Sequence, residues 1–194
     1  MKEAAMHEVD RWIRQAAGPE PQFDPVMRDF LDNIAAELRQ RLRPGCLLDA
    51  ASLGETAPWL WRLCFATQGL ARDGAGAVVP AGRHTVSVRF APDYLRRVDR
   101  FEMLTLVEPA APFHPNLRGR AVCLEVYPGE PLVEISEALH ALFSWRLRQL
   151  SEADALDPEA CAWGRAHLDE LPLDRRPLFG RTLAFTLEPA GDHA

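Results

Sequence analysis

Apolar residues recur with a helical period at the two ends of the chain and with a period of two through its middle. Over residues 2–17, Ala5, Met6, Val9, Ile13 and Ala16 fall on one helical face, and Gly18-Pro19-Glu20-Pro21 stops the run. A second helix is predicted over 25–42, with Val26, Phe30, Leu31, Ile34, Ala35, Leu38 and Leu42 as its apolar stripe. Asp24 suits the cap of that helix, Pro25 its first position and Pro44-Gly45 its end. Strands are predicted at 46–50, 58–67, 85–90 and 101–107. In the second of these, Trp59, Trp61, Leu63 and Phe65 alternate with other residues. Residues 69–82, rich in Gly and Ala, read as a loose hairpin connection of undetermined turn type. Helical spacing returns over 131–150 with Leu132, Ile135, Leu139, Leu142, Phe143, Leu147 and Leu150. A short helix after Asp157, with Pro158 in its first turn, carries Ala160, Trp163 and His167. Residues 181–187 alternate like a strand, although Pro172, Pro177 and Pro189 interrupt the flanks. The pattern predicts an α+β fold: an antiparallel meander of about four strands, each with one buried face, flanked by an N-terminal helix and C-terminal helices.

Composition narrows the classes. A chain of 194 residues is one domain with short extensions, large enough to hold a core without disulfides or metal. Its cysteines, Cys46, Cys64, Cys123 and Cys161, are widely scattered and form no Cys-x-x-Cys pair, which suits reduced thiols in the cytoplasm rather than a zinc site. No segment approaches the ~18 apolar residues of a membrane helix, so neither a membrane nor a secretory address is expected. A net charge of -6 argues against a general nucleic-acid binder, which needs a basic footprint to displace counterions. Lys2 is the single lysine among 22 basic side chains. Arginine is not an amine nucleophile, so the chain offers few acceptors for any acyl group it carries. GC-driven replacement of Lys by Arg explains the same bias.

One segment contains an evident reaction. Between His114 and Glu125, Asn116 and Cys123 stand at the two ends of a short loop that includes Gly119. An ionised thiol attacks acyl carbonyls, and a nearby amide donor stabilises the oxyanion that develops. The surroundings of this loop resemble the catalytic core of the ubiquitin-conjugating enzymes. The extended run 85–90 leads to Pro92-Asp93-Tyr94 and the apolar stretch 101–106. His114-Pro115-Asn116 and Cys123-Leu124-Glu125 come next, then Pro131 opening a helix and Leu156-Asp157-Pro158, all in the family's order over residues 25–163. Departures are Leu95-Arg96-Arg97 where the family has further prolines, a loop from Asn116 to Cys123 one residue shorter than usual, and no Trp between Cys123 and Pro131.

The resemblance implies an N-terminal helical extension (1–21), a ubiquitin-conjugating-like catalytic domain (22–168) and a C-terminal extension (169–194). It implies that Cys123 carries a ubiquitin-like protein as a thioester, received from an activating enzyme and passed to an amine of a target protein, with no metal or organic cofactor. Asn116 then either donates to the oxyanion or fastens the loop, and His114 braces the loop rather than acting as a base. Asp157 matches the family's acidic gate, with Asp154 and Glu152 in the same loop; a helix cap is an equally good account of Asp157. Bacterial relatives of this kind commonly sit beside genes for an activating enzyme and are linked to phage defence. The alternatives are a non-catalytic interaction module on the same fold, and a cysteine hydrolase pairing Cys123 with His140 or His167. Trp59, Trp61, Trp145 and Trp163 read as packing, Trp12 as an exposed partner contact, and His84 and His140 as packed. Arg96, Arg97 and Arg100 beside Asp93 and Asp99 read as a solvated turn.

Overall fold

Helix ends fall where the caps are. In the computed structural model, which describes residues 2–180, α1 (Lys2–Ala17) ends at Gly18 with φ 74°. The Asp24 carboxylate accepts the Met27 N–H at 2.8 Å and starts α2 (Pro25–Arg41). The buried stripe of α2 is Met27, Leu31, Ile34, Ala35 and Leu38, so the expected Val26 gives way to its neighbour and is 68% exposed.

The sheet is antiparallel, as the alternation implies. Its meander is β1 (Leu48–Ser52), β2 (Leu60–Phe65), β5 (His84–Arg89) and β6 (Leu104–Glu108), extended by the two-residue strands β7 (Leu117–Arg118) and β8 (Ala121–Val122), in the spatial order β1-β2-β5-β6-β8-β7. The 69–82 connection is a regular hairpin of its own, β3 (Gly69–Arg72) and β4 (Val78–Ala81). Asp73 makes its turn by accepting the N–H groups of Ala75 and Ala77. Three predicted strands are corrected at their starts, the second of them opening at Leu60 rather than residue 58. The first begins at Leu48 rather than residue 46. Residues 101–103 are helical, in α3 (Arg100–Met103), because the Asp99 side chain accepts the Phe101 and Glu102 N–H groups.

The expectation of one solvated face fails for the centre of the sheet, since every residue of β2 is buried, as are the first five of β5. Phe65 meets Phe143 of α4 (Leu132–Phe143) with ring centroids 5.3 Å apart, while Phe30 of α2 packs edge-on to Phe90 at 6.5 Å. The opposite face carries Arg62, which reaches Asp10 of α1 at 2.6 Å. Helices α2 and α4 therefore cover one face and α1 the other. Side chains such as Leu31, Leu63, Leu139 and Leu142, all fully buried, each contribute roughly 1.5–3 kcal/mol of hydrophobic stabilisation.

Helix α4 is shorter than its apolar spacing implies. The Ser144 hydroxyl donates to the His140 carbonyl at 2.7 Å, Trp145 turns to φ 59°, and Leu147 and Leu150 emerge 40% and 60% exposed instead of continuing the stripe. The chain then forms α5 (Pro158–Ala166) and a single 3-10 turn, Leu168–Glu170. Leu70, Phe113, Trp145 and Ala160 form a second, smaller core between the β3–β4 hairpin and α5. The predicted strand 181–187 lies outside the described residues. Among the described residues no helix is long and apolar enough to cross a membrane.

Candidate active site

The loop between Asn116 and Cys123 folds back as the β7–β8 pair, turning at Gly119 with φ 57°, a conformation favoured by the absence of Cβ. Thr105 of β6 pairs with Ala121, and the Arg120 carbonyl accepts the Leu106 N–H at 2.9 Å, so the hairpin is tied to the main sheet. Cys123 is stitched to Asn116 twice. Its N–H donates to the Asn116 carbonyl at 2.8 Å, and its own carbonyl accepts from Asn116 Nδ2 at 2.9 Å. The remaining carboxamide atom, Oδ1, accepts the Gln149 N–H at 2.8 Å, joining the cysteine loop to the segment after α4. Of the two roles open to Asn116 in the sequence, loop fastening is the one its contacts express; one Nδ2 hydrogen remains beyond the bond to Cys123.

His114 lies beneath this arrangement and is 1% exposed. Its Nδ1 accepts the Asn116 N–H at 3.0 Å, which places the ring proton on Nε2. That Nε2–H has no well-formed acceptor, the carbonyls of Leu142 and Leu147 giving only weak help. Burial first, and then the positive charges of His84 and Arg148, push its pKa down to about 3. An enclosed imidazole whose pKa is lowered in this way is neutral, and its bond to the Asn116 N–H ties the ring to the loop above it.

Asp157 reaches the same loop through its backbone, since the Pro115 carbonyl accepts the N–H groups of Leu156 at 2.8 Å and Asp157 at 3.2 Å. Its side chain caps α5, accepting the Ala160 N–H at 3.0 Å. Glu152 pairs with Arg165, and Asp154 is exposed. One connected set of hydrogen bonds thus brings together His114, Asn116, Cys123 and the backbone of Asp157.

Sequence reasoning missed Gln149 and the structural weight of Trp145. Trp145 is fully buried, edge-on to His114 at 4.8 Å and to Trp163 at 5.9 Å, and its left-handed backbone has no sequence signature. Helix α5 approaches it through Gly164, where a Cβ would stand 2.5 Å from the indole. Gly164→Ala is expected to destabilise the protein by about 1–3 kcal/mol through overpacking, read as a lower midpoint in urea with the slope unchanged.

The four thiols are free: Cys64 and Cys161 are buried, Cys46 and Cys123 partly exposed. Burial raises the Cys161 pKa. His140 cannot serve Cys123 as a base, because its Nδ1 is engaged by Thr67 Oγ1 at 2.7 Å and its Nε2 by the Arg176 carbonyl at 3.0 Å. His167 stacks on Trp163 at 4.5 Å, with Nδ1 on the Trp163 carbonyl at 2.8 Å.

No family model matches the chain, and no curated protein does. Among solved structures, the chain is similar to human ubiquitin-conjugating enzyme E2 G1. The two are 19% identical with a TM-score of 0.44, the match covering 63% of this chain and 98% of that one. A likeness of this degree assigns no role to any residue.

Proposed function

We propose that the protein is a ubiquitin-conjugating-like enzyme that holds a ubiquitin-like protein as a thioester on Cys123 and transfers it to an amine of a target protein. The observation that supports the reading is the pair of hydrogen bonds between Asn116 and Cys123, which fixes the backbone of a cysteine that is only half-buried. Exchange between two thiols of similar pKa is nearly isoenergetic, so transfer onto Cys123 requires positioning more than acid–base help. The Cys123 thiolate attacks the thioester carbonyl of the loaded activating enzyme, whose own thiolate departs. A target amine later attacks the new thioester and releases Cys123 again. In the second step an incoming lysine, with a pKa near ~10.4, must lose a proton. The carboxylate of Asp157 is proposed to orient that amine as well as to cap α5. A role of this transfer in bacterial anti-phage defence belongs to the same proposal.

Incubating the protein with its cognate activating enzyme, ubiquitin-like partner and ATP is expected to give an adduct on a non-reducing gel. That adduct should vanish on adding thiol and be absent from Cys123→Ala. No adduct in the wild type would point instead to a non-catalytic interaction module. Release of a free acid from an ester probe would favour a hydrolase.

A further inference from the structure

Helix α1 docks on the sheet through an apolar row and several polar contacts. Among its described side chains Ile13 is fully buried in the core, and Val9, Trp12 and Ala17 pack against it half-buried. Around it, Asp10 pairs with the buried Arg62, Arg14 Nε donates to the Leu53 carbonyl at 3.2 Å, and the Ala17 carbonyl accepts from Arg89 at 3.5 Å. A further contact reaches a different part of the molecule. The guanidinium of Arg120 lies over the Trp12 ring, 3.9 Å from its centroid. Arg120 occupies the β7–β8 turn directly after Gly119, three residues before Cys123. That turn is only a two-residue strand on each side, with Thr105↔Ala121 the one register pair to the main sheet. So short a ladder leaves the turn few restraints of its own, and the indole supplies another.

We propose that Trp12 and Arg120 form a positioning pair: α1 clamps the turn of the cysteine loop through this stack and thereby holds the Cys123 thiol in its partly sheltered place. The N-terminal helix then belongs to the active site as a support, and Trp12 faces its own chain rather than a partner. The meaning of the clamp for transfer rests on the thioester reading above, whereas its existence is testable without any activating enzyme.

The test is the rate at which iodoacetamide, a small neutral reagent, alkylates Cys123, followed by peptide mapping in the full-length protein. An exposed cation–π contact corresponds to a few-fold change in an equilibrium. Trp12→Ala and Arg120→Ala are each expected to raise the Cys123 rate ~3-fold, and Trp12→Phe and Arg120→Lys, which keep a ring and a cation, to restore most of the wild-type value. The double alanine variant should be no faster than either single one, because both remove the same contact. Cys161, buried in α5, reports general loosening and should stay slow in every variant. An unchanged or lower Cys123 rate in Trp12→Ala would overturn the clamp. So would a multiplicative effect in the double variant, or Cys161 rising in step with Cys123. Should the clamp hold while wild-type protein forms no thioester, the positioning pair survives and the conjugation reading does not.

Discussion

Replacing Asn116 by alanine is expected to slow discharge of a preformed Cys123 thioester to a free amine by roughly 10²-fold, the scale on which a single oxyanion donor is felt. The same change removes the acceptor for the Gln149 N–H and the donor to the Cys123 carbonyl. At ~0.5–1.5 kcal/mol net for each hydrogen bond, stability should fall by about 2 kcal/mol. Single-turnover discharge and urea unfolding measure the two losses separately. Asn116→Asp separates them further, because it retains an acceptor toward Gln149 while putting a second acceptor where Nδ2 now donates. Its discharge should therefore remain slow even where its stability recovers in part. A variant that unfolds more easily yet discharges at the wild-type rate would reduce Asn116 to a fastener and remove it from the chemistry.

Sequence made the helix starts legible because their signals are local. Asp24 with Pro25 and Asp157 with Pro158 each set a cap before a proline that accepts the first-turn geometry. Gly18 ended α1 for the same kind of reason. The end of α4 was illegible, since Leu147 and Leu150 continue the helical spacing and nothing marks Trp145 as a residue that turns left-handed. Strands of two residues, such as β7 and β8, lie below the length at which alternation carries information. The Phe101–Met103 turn was misread because one alternating triplet fits either period, and the Asp99 cap decided it. Of the candidate site, Asn116 and Cys123 stand out by residue type and order. Their link to Gln149, and the contact of Arg120 with Trp12, pair residues distant in sequence, which no local pattern encodes. The covering of both sheet faces follows from where α1 docks. The helix itself was evident, but its partner surface, Arg62 among strand residues, looked like a solvated face.

Acid should unfold this protein before most of its carboxylates are titrated. His84, stacked on Phe143 with centroids 4.5 Å apart, is pushed down to about 4, mainly by burial, and His114 to about 3. In the unfolded chain both imidazoles titrate near ~6.5. Below that pH the unfolded state binds protons that the folded state refuses, so stability is full above ~6.5 and declines as pH falls. The decline continues toward pH about 4 for His84 and about 3 for His114. Each depressed histidine contributes ~1.4 kcal/mol per pH unit in that window, so the pair removes about 5 kcal/mol between pH 6.5 and 4.5. That is comparable with the whole stability of many domains, roughly 5–15 kcal/mol. Burial lowers the pKa of His140 as well, reinforcing the trend. Asp174, held down to about 2 chiefly by its hydrogen bonds from Arg176, adds a loss only at lower pH, once the unfolded carboxyl begins to protonate. Urea unfolding at intervals from pH 7.5 to 4.5 should trace this slope. His114→Asn, whose Oδ1 can accept the Asn116 N–H in place of Nδ1, should flatten it by ~1.4 kcal/mol per pH unit. His84→Asn provides the same reading if the first variant folds poorly. Stability that stays level from pH 7 to 5 would mean that these imidazoles are charged or hydrated in the folded protein. His114 would then not be the neutral brace on which the Asn116 loop depends.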